Sequence, residues 1–431
     1  MGRRDRRKRS AAAPTRRAIT AALIDADRLR ADFDALAAIG RTVEGGVSRP
    51  TFSEAHLAAR AWFLDRATAA GLETRVDAAG NHSARLRSSR AEAPTLLLGS
   101  HLDTVPNGGR FDGALGVVAA LEALRAAQGA GIDLPYTLEA IDFTDEEGTL
   151  VGLLGSRALT GALTTGELQA PRGGREALLA GLARAGLTET RLADARRDPR
   201  TLAGYLELHI EQGPVLELQR VDIGIVSTVV GSRSFDLTFK GTAGHAGTTP
   251  METRHDAGLA AATFVVGVHD TVVRDFPNCV ATVGRVTLEP GAFNVIAGEA
   301  HVALEFRSTD ASQLDALEDA LVLRARDAEA LGLAVEVEPV GRWEPVLLDI
   351  TMRTAIARAA GTLGLNTIEL PSGAGHDAQA LAHITSSGMI FVPSVDGLSH
   401  QPGEHTTWDD CLNGANVLLG ATLELAEAFA G

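Results

Sequence analysis

The chain has 431 residues, 45% hydrophobic and 22% charged, with a formal net charge of −15 and a pI near 5.3. That length suits two domains, and the acidic balance excludes nucleic acid and an anionic membrane as main partners. No apolar stretch approaches the ~20 residues of a membrane span. Cys279 and Cys411 are the only cysteines, too few for a disulfide framework or a thiolate metal cage.

In chain order, the start MGRRDRRKRS is strongly basic. Residues 1–19 are expected to form a disordered tail. No apolar core of a signal peptide follows, so a cytoplasmic location is the simplest expectation. Residues 20–75 read as helical, ending at Gly71. Leu96–Leu98 reads as a strand, ALGVVAALEALRAAQGAG as a helix closed by glycines, and YTLEAIDFTDEEG as a strand running into an acidic turn. This βαβ rhythm predicts an α/β fold with a mostly parallel sheet flanked by helices, its site at the carboxyl ends of strands. From residue 229 the rhythm changes. SFDLTFKG, CVATVGRVTLE, AHVALEFRS and LAVEVEPV read as strands, with a helix after the first and another, capped by Asp310, after the third. That β-α-β-β-α-β order predicts a smaller α+β domain at 229–343, inserted into a catalytic domain at 20–228 and 344–431.

Five stretches carry candidate chemistry. TLLLGSHLDTVPNGGRFDG (Thr95–Gly113) ends a strand at His101 and adds Asp103 and Asp112. FTDEEG pairs Glu146 with Glu147. YLELHIEQGP sets Leu206, Leu208 and Ile210 opposite Glu207, His209 and Glu211. His245 and His400 sit in glycine-containing loops. Singly, each also reads as ordinary structure: solvated glutamates, a half-buried strand histidine, surface-loop histidines. Together they supply what two divalent cations sharing one carboxylate need, with a spare glutamate to take a proton from water and an acid able to orient a ligand histidine. With so few cysteines, any metal must use His and carboxylates.

These residues resemble the hydantoinase/carbamoylase amidases, a branch of the di-zinc aminoacylase and carboxypeptidase superfamily. That branch holds N-carbamoyl-L-amino-acid hydrolases, allantoate amidohydrolases and β-ureidopropionases. GSHLDTVPNGGRFDG, DEEG, ELHIEQGP, GHAGTTPM, SGAGHDA and SHQPGE occur in the expected order, from about Gly40 to the C-terminus. The resemblance implies an aminopeptidase-like catalytic domain with a lid and dimerisation domain. It implies two metal ions per subunit, zinc first, with manganese, cobalt or nickel as alternatives. Asp112 would bridge them, His101 and His209 would complete one, and Glu147 and His400 the other. Glu146 is the implied general base, Asp103 the residue orienting His101, and His245 an oxyanion donor reaching the partner subunit of a homodimer. Gln212, His245, Asn294, Arg307 and Gly375 are the implied substrate contacts, Arg307 for a carboxylate. The implied reaction is hydrolysis of the ureido (N-carbamoyl) C–N bond of a small carboxylate substrate. Allantoate or ureidoglycolate hydrolysis is the alternative. An aminoacylase or dipeptidase, disfavoured by His209 where those relatives carry an acid, and a non-catalytic binding module stand behind it. The chain departs from the family pattern at Ala297 (usually proline), Glu305 (usually aspartate) and Leu150–Val151 (usually arginine and phenylalanine).

Overall fold

The computed structural model describes residues 23–428. The basic tail expected at 1–19 lies outside them. Contacts gather the chain into two compact units, Met1–Ser227 with Leu348–Leu370 and His376–Gly431, and Thr228–Leu347 with Pro371–Gly375. The second visit to the smaller unit, at Pro371–Gly375, has no signal in the sequence pattern.

Among the described residues the first unit opens with two helices, Ala26–Ala37 and Glu54–Ala69, rather than the continuous helical stretch expected over 20–75. Residues 38–53 break away as turns, and Ser53 starts the second helix by accepting the His56 N–H. Strands Glu73–Val76 (β1), His82–Leu86 (β2), Thr95–His101 (β3), Thr137–Phe143 (β4), Leu202–Ile210 (β5) and Ile223–Val229 (β6) join the last strand, Ser387–Val392, in one sheet. Its order begins β1-β2-β4-β3-β5-last-β6, and the short strands Val346–Leu347 and Thr367–Ser372 both pair with β6. The central pairings β4–β3, β3–β5 and β5–last are parallel, and the flanking pairings β1–β2, β2–β4 and last–β6 are antiparallel. β3 and β5 are buried on both faces, as parallel strands covered by helices must be. The expected alternation of β5 therefore separates two buried faces: Glu207 and His209 are as inaccessible as Leu206 and Leu208. Helix Ala114–Gly129 is apolar on nearly every side, because it is buried beside β3, β4 and β5.

In the second unit, Gly231–Lys240 (β7), Gly244–His245 (β8), Cys279–Glu289 (β9), Val295–Ile296 (β10), Glu299–Ser308 (β11) and Ala334–Trp343 (β12) form a four-stranded antiparallel sheet, β12-β7-β11-β9, and a two-stranded ribbon, β10-β8. Helices Ala257–Asp275 and Ala311–Arg326 pack on one face, against Phe235, Leu237, Phe239, Val302, Leu304 and Phe306. Asp310 caps the second helix, accepting from the Ser312 and Gln313 N–H groups. The strict alternation of β11 leaves Glu305 and Arg307 on the face away from these helices.

Candidate metal centre

The first unit brings its sequence-predicted residues together at the carboxyl ends of β3, β4 and β5. His101 closes β3, and Asp112 stands two residues before helix Ala114–Gly129. Between them Gly113 adopts φ 62°, and a Cβ there would fall 2.4 Å from the His101 ring, so only glycine fits. Asp112 presents one oxygen to each side. Its Oδ1 lies 3.4 Å from His101 Nε2 and 3.3 Å from His209 Nε2, and its Oδ2 lies 3.3 Å from His400 Nε2. Glu147 Oε2 is 3.5 Å from His400 Nε2. Two groups able to hold a cation follow, His101–Asp112–His209 and Asp112–Glu147–His400, with Asp112 common to both. Asp145, Gln212 and His400 all sit at positive φ, at 59°, 57° and 59°. Non-glycine residues rarely adopt this conformation, and it concentrates at functional loops.

The donor set fits divalent metal. Neutral imidazoles and carboxylates suit zinc and its first-row neighbours. His101 Nε2 is buried with no group in hydrogen-bond geometry. The acids that face it, Asp112 and Glu146, stand 3.4 and 3.5 Å away. The opposite ring nitrogens are fixed by main chain: His101 Nδ1 meets the Asp103 carbonyl at 3.0 Å and His209 Nδ1 the Ile210 carbonyl at 2.9 Å. Both contacts direct Nε2 at Asp112. A third group, Glu289, Glu299 and His301 on the second unit's sheet, is partly exposed, and no buried orphan atom is aimed into it.

Asp103 meets the His101 ring through its main chain rather than its carboxylate. Its carboxylate stands 3.9 Å from His101 Nδ1, and its main-chain oxygen takes the ring contact instead. The carboxylate accepts the N–H groups of Glu146 and Glu147 at 3.3 and 3.2 Å, and the Thr51 hydroxyl at 3.1 Å. Asp103 thus pins the turn that carries both glutamates. Asp145 anchors the far side of this turn, accepting from the N–H groups of Leu150, Val151 and Gly152. The Leu150–Val151 departure therefore falls on a segment held through its backbone.

Electrostatics follow from burial and crowding. Burial opposes charge on His101, yet Glu146, Asp112 and Asp103 outweigh it and raise its pKa well above the ordinary value. Burial, together with Asp377, Glu147 and Asp112, pushes Glu146 well above the usual carboxylate range. Burial and then Asp112 push Glu147 up to about 7. The bond to Asp112 raises His400 to about 9. Asp112 is held well below its ordinary value, because His209, His101 and His400 outweigh its burial. The groups so perturbed are the implied acid–base and ligand residues.

Gln212 Nε2 donates to Asp112 Oδ2 at 2.7 Å, while Gln212 Oε1 is buried without a hydrogen-bond partner. Because Asp112 is an acceptor, this amide orientation is fixed, and Oε1 is left for an N–H donor. Sequence reasoning missed Ser399 and Glu404, which bond Asp112 and its main chain; SHQPGE contained both, but the resemblance implied a role only for its histidine.

The other implied contacts belong to the second unit. His245 is exposed and pairs with Val295 across β8–β10. The Ala246 N–H donates to the Asn294 carbonyl at 3.0 Å, so His245 and Asn294 share one loop assembly. Arg307 Nε and Nη2 both donate to Glu305 Oε1, at 2.9 and 2.7 Å, and Nη1 donates to the Gly373 carbonyl at 2.8 Å. Gly375 is exposed two residues later.

Residues 97–424 match the model of the peptidase family M20/M25/M40. An N-carbamoyl-L-amino-acid amidohydrolase of Paenarthrobacter aurescens is 40% identical over 379 residues, covering 87% of this chain and 92% of the relative. An N-carbamoyl-L-amino acid amidohydrolase of Geobacillus stearothermophilus is 37% identical, covering 94% and 100%. The solved structure of a hydantoinase/carbamoylase family amidase from Burkholderia multivorans matches with a TM-score of 0.84 at 35% identity, covering 94% of this chain and 99% of that one. The chain belongs to the metal-dependent peptidase family M20/M25/M40 and, within it, to the hydantoinase/carbamoylase amidases, enzymes that hydrolyse C–N bonds.

Proposed function

We propose that this amidohydrolase cleaves the ureido C–N bond of a small carboxylate substrate, an N-carbamoyl-L-amino acid, releasing ammonia and carbon dioxide. The observation that carries the reading is the pair of donor groups sharing Asp112, with Glu146 Oε2 3.5 Å from His101 Nε2 but outside both groups. Asp112, His101 and His209 would hold one divalent ion, and Asp112, Glu147 and His400 a second; zinc suits this set best. When bound, such ions would supply Lewis acidity toward the carbonyl and toward water. Glu146 takes the proton of the attacking water at its carboxylate. Water oxygen adds to the ureido carbon, the C–N bond breaks, and Glu146 returns the proton to the departing nitrogen. The carbamate left behind breaks down to ammonia and carbon dioxide.

Gln212 Oε1 accepts a ureido N–H, which satisfies its orphaned oxygen. Arg307 pairs with the substrate carboxylate, Asn294 and Gly375 line the same pocket, and His245 donates to the oxyanion from a second copy of the chain. Support for a homodimer through the second unit lies in Leu259, Val266 and Val273, exposed at seven-residue spacing on helix Ala257–Asp275, and in Val280, Val286 and Leu288, exposed on edge strand β9. Acidic charge and the lack of any helix long and apolar enough to cross a membrane, among the described residues, are consistent with a cytoplasmic enzyme.

Ammonia release by the metal-free enzyme reloaded with zinc, manganese, cobalt or nickel tests this. N-carbamoyl-L-amino acids should give a higher kcat/KM than allantoate, ureidoglycolate or ureidopropionate. Turnover of acyl-amino acids or dipeptides with no ammonia from any ureido acid overturns the reading.

A further inference from the structure

Glu404 lies four residues beyond His400 and carries a buried carboxylate, outside both donor groups, that bonds the main chain of Asp112. It is 4% exposed. Its Oε1 accepts two main-chain N–H groups, Phe111 at 2.8 Å and Asp112 at 3.0 Å. Its Oε2 faces the Ser399 hydroxyl at 2.9 Å, and that hydroxyl is also 3.1 Å from Asp112 Oδ2. Room for the carboxylate comes from Gly109, where a Cβ would lie 1.9 Å from Glu404 Cδ.

Two buried carboxylates side by side are costly unless hydrogen bonds offset the burial. Here the offset is specific. The backbone just before and at Asp112 is tied to one oxygen of Glu404. Ser399, with one hydrogen, can donate to Asp112 or to Glu404 but not to both at once. Glu404 therefore acts on Asp112 twice, through its main chain and through the hydroxyl that its Oδ2 faces.

We propose that Glu404 is a positioning residue that sets the orientation of the Asp112 carboxylate, and with it the distance from Oδ2 to His400 Nε2. The inference rests on the reading that Asp112 bridges two cations. Outer partners of ligand carboxylates change metal affinity by about 10–100-fold when removed.

The test measures zinc affinity by competition with a chromogenic chelator, alongside thermal unfolding of the metal-free protein and kcat at saturating zinc. Glu404→Ala should weaken the second zinc by about 10–100-fold. Glu404→Gln should recover most of that loss. Its amide oxygen keeps both main-chain bonds, and its NH2 donates to the Ser399 oxygen, which leaves the Ser399 hydrogen to Asp112. Ser399→Ala should fall between them. A residue that only holds the loop lowers the unfolding temperature and leaves affinity alone; unchanged zinc affinity in Glu404→Ala overturns the proposal. So does Glu404→Gln being as weak as Glu404→Ala, because charge rather than orientation would then be what matters. Should Glu404→Ala fail to fold, Glu404→Asp, one methylene too short to reach both N–H groups, takes its place with the same two outcomes. Asp112→Ala separates the layers. If it retains two zinc ions the bridging reading fails, whereas if it loses them while the Glu404 variants bind normally only the present inference fails.

Discussion

At the residue scale, protons compete for the same atoms that the candidate metal centre would offer to cations. Glu147, raised to about 7, and His400, raised to about 9, carry protons at neutral pH that a cation must displace. The sign follows directly: binding at the Asp112–Glu147–His400 group releases protons, so its affinity rises as pH climbs from below 7 through 9 and falls as pH drops. Calorimetric zinc titrations in buffers of different ionisation enthalpy should report proton release at pH 7 that shrinks by pH 9; release that grows with pH contradicts the assignment. Glu146 sits beside a donor residue without being one. Glu146→Gln should keep its metal and lose turnover by about 10²–10⁴-fold, the usual contribution of a general base. Metal analysis with steady-state kinetics checks this, and near-normal kcat at full metal content removes Glu146 from the role.

At the scale of elements, what matters is how two strand ends are locked in register. Arg60, 1% exposed on helix Glu54–Ala69, donates to Asp142 Oδ2 at 2.8 Å, to the Phe143 carbonyl at 3.1 Å and to the Thr144 hydroxyl at 2.9 Å. The other Asp142 oxygen accepts the Leu102 N–H at 2.8 Å. One buried pair thus joins the exit of β3, carrying His101 and Asp103, to the exit of β4, carrying Glu146 and Glu147. Removing one partner of a buried pair leaves the other without compensation and costs about 3–5 kcal/mol. Arg60→Ala should lose about that much in urea unfolding; a loss under about 1 kcal/mol, typical of an exposed pair, counts against a locked register. Burial carried by Arg60 was invisible in the sequence, where an arginine on an amphipathic helix reads as a solvated residue.

At the scale of the whole molecule, the proposed reading draws on groups of both units and of two chains. Arg307→Lys keeps the charge but loses the planar fork that Glu305 and the Gly373 carbonyl hold in place. It should raise KM for N-carbamoyl amino acids by about tenfold or more, and should leave substrates whose carboxylate is an amide unaffected. The shared site has a complementation test. An inactive His245→Ala chain is mixed with an inactive Glu146→Gln chain under conditions that exchange subunits. If His245 acts across the dimer, one site of each mixed dimer has both groups intact and activity returns. Continued inactivity, with exchange confirmed independently, places His245 with its own chain's site.

The sequence by itself determined the βαβ rhythm, its change near residue 229 and the candidate donor residues. Hydrophobic period and turn chemistry are local, and ligand chemistry is a property of residue type. Six motifs in order, SHQPGE among them, led to the hydantoinase/carbamoylase amidases, where the comparisons also place the chain. Only tertiary structure decided that the Asp103 carboxylate holds a turn while its main-chain oxygen meets the His101 ring, that Glu207 and His209 are buried on a two-sided sheet, and that Glu305 occupies Arg307. Those facts depend on which atoms meet across residues far apart in the chain. Glu404, 292 positions from Asp112, is the sharpest case: its one local partner, Ser399, says nothing of Asp112, and its proposed role exists only because the fold brings its loop to the start of helix Ala114–Gly129.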